Sequence, residues 1–538
     1  MTIPRLRCNL LLPVLLLLAC AGQPLLDAQT YSVLFNFDET PHGCCAYFPG
    51  ILAQGRDGNI YGTTLAGGKF GYGSVFVIGP GGGLTTLYSF DITDGLGPQG
   101  GLAMGLDGNF YGTTYQGGGH SAGTVFQITP GGALTTLYSF ANNGDGAYPR
   151  TPPVPAPDGN LYGATAYHAA STIYRITPTG ALTTLVTLPA ESDAPLTLGA
   201  DGKLYGITLY GGTYNQGMAF SITTAGVFKT IYSFDTPTGG SPQGALLQAS
   251  DGNFYGTTSL GGTNGGGVVF RLTPAGAYKV VHNFTSLPST KGAAPAAGLV
   301  QGSDGYLYGV TPIGGVNGYG TIFRLKTNGS AFSVIYNFDK TNGAGPYSTP
   351  MLHTNGIIYG LAQSGGPADD GVLYSLNASL APFASVFVVR SGKVGTSVGI
   401  LGQGFSSATG VLFGSGRGTI TSSTDTYLTA KVVAGATTGP VTVKEPGGNL
   451  ISPQPFKVKP SITTFSPPSG AVGTSVVING MSLLQATAVK FGGVAATTFT
   501  VNSNTQVTAT VPAGAVTGKI SITTPGGTAN SAANFTVD

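Results

Sequence analysis

The chain has 538 residues, among them 89 Gly, 35 Pro and no Trp, and only 8% are charged, for a formal net charge of +2. Soluble chains average about 25% charged residues, so this one lacks the stripe of Lys and Arg that nucleic acid requires and has little field to steer a charged ligand. Gly and Pro at this density without a Gly-X-Y period indicate a turn-rich, all-β chain of several domains.

Residues 1–28 read as a secretory signal: Arg5 and Arg7, the apolar run Leu10 to Ala19, then small and polar residues. The run is too short to span a bilayer as a helix, and no other long apolar stretch follows, so no transmembrane helix is expected in the mature chain. Cleavage after Ala28 releases a chain starting at Gln29, just before the first strand. The alternative is a lipoprotein anchored through Cys20, because Leu17-Leu18-Ala19-Cys20 resembles a lipobox. Both routes lead to a secreted or cell-surface bacterial protein. Losing the leader removes Arg5, Arg7 and Asp27 and leaves the mature protein almost neutral. The cysteines that remain, Cys44 and Cys45, are adjacent; export favours a vicinal disulfide over free thiols, and two thiols alone would leave a zinc site half filled.

From Tyr31 to Leu376 one segment recurs seven times. Its Tyr-Gly step falls at Tyr61, Tyr111, Tyr162, Tyr205, Tyr255, Tyr308 and Tyr359, a period of 43 to 53 residues. Four strand-like runs per period are the pattern of a propeller blade. In the second copy the strands are predicted at Gly101 to Leu106, Asn109 to Thr114, Gly123 to Thr129 and Leu134 to Phe140, with Asp107-Gly108 as the hairpin turn between the first two. Apolar residues on both faces of the third and fourth strands suit blades stacked face to face. The first strand, rich in small residues and Pro (Ala103, Pro153, Ala245, Ala297), suits the crowded axis. The region opens with a fourth-type strand, Tyr31 to Phe37, and ends with a third-type strand, Val372 to Leu376. Such complementary ends predict a closed seven-bladed ring, with the first strand completing the last blade.

The segment Asp-Gly-Asn-Phe-Tyr-Gly-Thr-Thr at 107–114 and 251–258 resembles the repeat of the GloVer-type tandem-repeat proteins of bacteria. That resemblance implies a repeat architecture and no particular activity. From about Pro382 two segments match each other: Ser391 to Val398 aligns with Ser469 to Val476, Phe413 with Phe491, Pro446-Gly-Gly with Pro525-Gly-Gly, and Phe456 with Phe535. Both, over 382–459 and 460–538, look like IPT/TIG domains with an immunoglobulin-like β-sandwich fold; the second, with Phe465-Ser-Pro-Pro-Ser-Gly470, is the closer match. Modules of that kind imply spacers or adhesion units.

Strand polarity puts the short first-to-second and third-to-fourth turns at one end of the ring and the longer, varied loops at the other. Binding residues gather on loops held by a rigid scaffold, so the loop end is the expected functional face. Tyr72, Tyr115, His120, Tyr210, Tyr214, Asn215 and Tyr319 fall there, aromatic and amide groups suited to an uncharged extracellular glycan or a surface protein; the alternative is that they are ordinary loop residues. The aspartates of the hairpin turns, Asp57 through Asp304, are explained by turn chemistry. Asp38, Asp91, Asp235 and Asp339 end the fourth strands, as Asx turns or, less simply, calcium ligands. Glu191 with Asp193 and Asp369 with Asp370 are the acidic pairs that a glycoside hydrolase would need. No metal site, cofactor motif or nucleophile elbow occurs. The expectation is a monomeric, non-enzymatic binding or adhesion scaffold, with an extracellular carbohydrate-active enzyme or a purely structural envelope protein as alternatives.

Overall fold

The computed structural model describes residues 29–38, 42–44, 50–166 and 171–538. The signal sequence, Cys20 and Cys45 lie outside them, and with Cys45 the vicinal disulfide; Cys44 is buried. Between Thr30 and Asn377 the described residues form seven four-stranded antiparallel sheets, and the sheet of the seventh blade contains the first strand of the chain. Thr30–Asn36 pairs with Val372–Asn377, Tyr31 opposite Leu376 and Val33 opposite Tyr374. The ring is closed as the repeat ends require. Across the seam Tyr31 stacks on Tyr336 of the sixth blade, ring centroids 3.7 Å apart, and its hydroxyl donates to the Asn342 carbonyl at 2.6 Å. On the other side Gln54 Nε2 donates to Thr354 Oγ1 at 2.8 Å. His353, fully buried, accepts from the Asn355 N–H through Nδ1 and so donates from Nε2 to the Gly58 carbonyl at 2.9 Å.

The recurring core of each repeat follows from two local requirements. In the second blade Asp107 accepts from the Asn109 N–H at 3.1 Å and from the Tyr111 hydroxyl at 2.9 Å. The same Asp-to-Tyr bond recurs at Tyr61, Tyr162, Tyr205, Tyr255 and Tyr308; in the seventh blade Asn355 donates to Tyr359 instead. Each tyrosine is buried in the ring, and its hydroxyl must find a partner there; the turn residue supplies it. Burial and the Asp107 bond push the Tyr111 hydroxyl up to about 12. The glycine that follows makes room for the third strand: a Cβ on Gly112 would lie 2.4 Å from Phe126 Cζ, and one on Gly256 would lie 2.5 Å from Phe270 Cζ.

Two features differ from the sequence pattern. The innermost strands are only two residues long, as at Ala103–Met104, because Gly105 already belongs to the hairpin, donating its N–H to the Asn109 carbonyl. The outermost strands are half-exposed rather than buried on both faces. Their adjacent apolar residues, such as Leu137 and Tyr138, are explained by a bulge at the same place in every blade, where the register shifts opposite Val125 and Phe126. The bulge turns both side chains into the stack.

After the ring come two immunoglobulin-like sandwiches. In the first, a curled eight-stranded sheet running from Ser385–Phe387 to Gly448–Val458 encloses Val398, Phe413 and Phe456. In the second, two sheets between Ser461–Ser466 and Gly527–Val537 enclose the matching Val476, Phe491 and Phe535. The equivalent ring pairs are 5.0 and 5.2 Å apart, which accounts for their correspondence in sequence.

The first sandwich docks on the turn end of the ring. Thr426 Oγ1 donates to the Arg56 carbonyl at 2.5 Å, and the Arg56 guanidinium lies 4.5 Å from the Tyr427 ring centroid. Gln403 Nε2 donates to Thr354 Oγ1 at 2.9 Å, and Gln454 Nε2 to the Gln248 carbonyl at 3.2 Å. Phe387, Leu401 and Tyr427 pack against the blade residues Ala53, Tyr61 and Phe110. The module thus seals turns of blades one, five and seven and leaves the opposite, loop end open.

Candidate functional site at the loop end of the propeller

Among the described residues, six of the seven loops joining second to third strands share one frame. Each is pinched at its base: the Gly123 N–H donates to the Gly117 carbonyl at 3.2 Å, and the corresponding bonds from Gly73, Gly217, Gly267, Gly320 and Gly371 are 2.8 to 3.1 Å. The base packs on the loop that enters its own blade from the previous one so closely that a Cβ on Gly117 would lie 2.8 Å from Gly95 Cα. Near the tip a left-handed residue recurs: Gly71, Ser121, Asn215, Gly265, Gly318 and Asp369 all have φ between 53° and 84°. Asn215 and Asp369 stabilise that turn themselves, accepting from the Gly211 N–H at 3.0 Å and the Gly365 N–H at 2.7 Å. The result is a stiff platform carrying variable tips.

Those tips are where the apolar surface lies. Phe70, Tyr72, Ile92, Tyr210, Tyr214, Leu260, Leu287, Val316 and Tyr319 are exposed on this end, whereas among the described residues of the propeller only Leu106 and Val227 are comparably exposed on the turn end. Tyr214 is 60% exposed and Phe70 48%. His120 is also exposed, beside a shallow crevice of about 380 Å³ lined by Ile92, Thr93, Leu96, Gln116 and Ser121. Of the residues expected to bind, Tyr72, His120, Tyr210, Tyr214 and Tyr319 therefore present free surface. Asn215 spends its carbonyl oxygen on its own loop, and Tyr115 is half-buried, its ring 5.1 Å from the Arg150 guanidinium and 5.2 Å from the Tyr148 ring.

Arg150 is the residue that sequence reasoning missed. It bridges blades three and four, with Nη1 3.2 Å from Asp193 and 3.4 Å from Glu191. It precedes Pro153 by the same three positions that separate Gln99 from Leu102, Asp193 from Leu196 and Gln243 from Leu246. Aligning those columns would have shown one blade's Arg beside the next blade's Asp. The pairing also removes the first acidic pair from the free carboxylates a hydrolase uses. Asp369 is likewise held, 3.0 Å from Lys340 Nζ, which with its loop bond keeps its carboxyl below the usual range. The Asp91, Asp235 and Asp339 carboxylates accept N–H bonds at 2.8 Å from residues two or three ahead, the Asx-turn geometry. No group of three or more metal-ligating side chains occurs among the described residues.

Burial pushes the Asp193 carboxyl up to about 6, with repulsion from Glu191 adding to it and Arg150 opposing it. A folded-state value above the unfolded one means that this group favours folding most below about pH 4 and that the contribution is lost as pH rises through about 6. The expected loss is up to about 3 kcal/mol over that window. In urea melts from pH 4 to 7, Asp193→Asn should flatten the part of the stability profile that falls; an unchanged profile would contradict the assignment.

A family model described as the Gloeobacter/Verrucomicrobia repeat matches residues 25–197 and 191–428, and one for the IPT/TIG domain matches residues 460–537. No curated protein matches the chain. Solved structures to which the chain is distantly similar include a surface glycan-binding protein from Prevotella bryantii, 16% identical, covering 28% of this chain and 41% of that one at a TM-score of 0.23. TolB from Acinetobacter baumannii is 11% identical, covering 60% and 80% at a TM-score of 0.34. A fungal alcohol oxidase in complex with copper is 12% identical, covering 80% of this chain and 100% of that one at a TM-score of 0.45. Likenesses this distant carry no argument about activity. No helix among the described residues is long and apolar enough to cross a membrane.

Proposed function

The chain belongs to the Gloeobacter/Verrucomicrobia repeat family, and from that premise we propose that it is an exported, non-enzymatic scaffold whose propeller loop end binds an uncharged extracellular glycan. One observation carries the reading: exposed aromatic side chains gather on the stiff loop end, while the first sandwich occupies the other. Aromatic faces stack on sugar C–H surfaces, and a nearly neutral platform costs little to desolvate. A hydrolytic reading is disfavoured because Glu191, Asp193 and Asp369 each face a cation.

The test is a glycan array probed with residues 29–538. Binding to neutral glycans is expected, weakened about tenfold or more by Tyr214→Ala or Tyr72→Ala and indifferent to Asp193→Asn. Turnover of a bound glycan, or no binding across the array, would overturn the proposal.

A further inference from the structure

A second feature lies at the opposite end, where both sandwiches approach the turns of blades four and five. In the first sandwich Ser391–Gly392 pairs in parallel with the end of Gly448–Val458, Ser391 opposite Lys457. The Lys457 N–H donates to the Arg390 carbonyl at 2.9 Å and the Lys459 N–H to the Gly392 carbonyl at 2.8 Å. Alternate residues of an extended segment share a face, so Lys457 and Lys459 project together beside Arg390. Two cavities open there. One, of about 150 Å³, is lined by Arg390, Gln454 and Lys457 against Gln248, Ser250 and Gly252 of blade five. The other, of about 350 Å³, is lined by Lys457 and Lys459 with Gly202 of blade four and Thr524 to Gly527 of the second sandwich.

The charges do not balance locally. Among the described residues Arg390, Lys457 and Lys459 make no ion pair, and their side chains donate no hydrogen bond to protein. The acid that lines both cavities, Asp201, is already engaged by Lys203 at 3.6 Å and by the Tyr205 hydroxyl at 2.8 Å. Arg390 is half-buried at the junction, and that burial lowers its pKa. In a chain with 8% charged residues, three cations at one junction are a concentration that packing does not require. A half-buried guanidinium has given up part of its hydration without gaining a protein acceptor, and its planar fork matches an oxyanion in a way that a lone ammonium does not.

We propose that this junction is a binding site for an oxyanion group, a sulfate, phosphate or carboxylate, held by the Arg390 fork and Lys457 with Lys459 at the mouth. The Arg390 cavity is walled by the ring and the first sandwich, and the larger one by the ring and both sandwiches, so an occupant ties the ring to the first sandwich and, where it reaches Lys459, to the second as well. The site is separate from the loop end and does not depend on what binds there.

Isothermal titration calorimetry on residues 29–538 tests it, with sodium sulfate, sodium phosphate and a uronic-acid disaccharide as probes at constant ionic strength. The expected result is saturable heat at one site for at least one probe, with affinity reduced about tenfold by Arg390→Gln and by Lys457→Gln and unchanged in Tyr214→Ala. Lys457→Gln lies on the rim and keeps the test valid if Arg390→Gln folds poorly. Response to the inorganic ions assigns a free anion, and response to the disaccharide alone assigns an acidic sugar. Absence of saturable heat with all three probes, or equal affinity in both variants, would overturn the site.

Discussion

Removing Thr30–Asn36 is expected to lower the melting temperature by well over about 10 °C. The strand contributes no loop and touches no candidate binding residue, so its effect is a pure reading of closure. It supplies the outer strand of the seventh blade through its pairing with Val372–Asn377. It packs Tyr31 and Val33 against the cluster of Phe338, Tyr374 and Leu376, and Phe35 and Leu34 against Phe76 and Tyr359. Four half-buried side chains, each worth up to about 1.5–3 kcal/mol when fully buried, are a large share of the about 5–15 kcal/mol that keeps a domain folded. The deletion also turns the buried, apolar third strand Val372–Asn377 into the blade's outer edge, a template for aggregation. Differential scanning calorimetry of the truncated and intact chains measures it; equal melting temperatures would mean that the ring is held without its seam.

The second large effect is expected from Gly256→Val. Gly256 follows Tyr255 in the fifth blade, and even a bare Cβ there meets Phe270 at 2.5 Å and Leu246 at 3.2 Å. Neither neighbour can yield easily, since Phe270 is fully buried among Phe234, Phe254 and Leu272. Overpacking by one methyl group typically costs about 1–3 kcal/mol, so a branched side chain should cost at least about 3 kcal/mol and lower the urea midpoint sharply. Val227→Ala, a change on an exposed turn residue of blade four, should leave the midpoint within error. A tolerated Gly256→Val would show that the Tyr-Gly step has some other cause than the third-strand aromatic.

Much of the ring was legible because its reasons are local. Asp107, Asn109 and Tyr111 lie within one hairpin, so the turn that the spacing predicts also satisfies the buried hydroxyl. Closure was legible for a different reason: complementary strands at the two ends of a repeat leave few other places to pair. The outer-strand bulge was not, since consecutive Leu137 and Tyr138 look the same whether a strand is buried on both faces or kinked onto one. Docking of the first sandwich was also hidden. Its contacts use backbone carbonyls such as that of Arg56, reached by Thr426 from 370 residues away, and no residue pattern marks them.

The candidate site was half legible. Loop position alone identified Tyr72, Tyr210, Tyr214 and Tyr319 as surface aromatics, because strand polarity decides which end a loop occupies. Tyr115 and Asn215 look equivalent in sequence, yet one is packed against Arg150 and the other closes its own turn. The acidic residues were visible as carboxylates, but their neutralisation by Arg150 and Lys340 depends on contacts between blades that periodicity does not encode.

The most direct measurement compares the two ends of the ring in one assay. With the strongest glycan from the array, calorimetric titration of residues 29–538 is set beside two double variants that truncate exposed apolar side chains, Tyr210→Ala/Tyr214→Ala at the loop end and Leu106→Ala/Val227→Ala at the turn end. The loop-end pair should weaken binding about tenfold or more with an unchanged melting temperature, and the turn-end pair should bind like the parent. Equal losses at both ends, or loss only at the turn end, would contradict a propeller that binds through its open loop face.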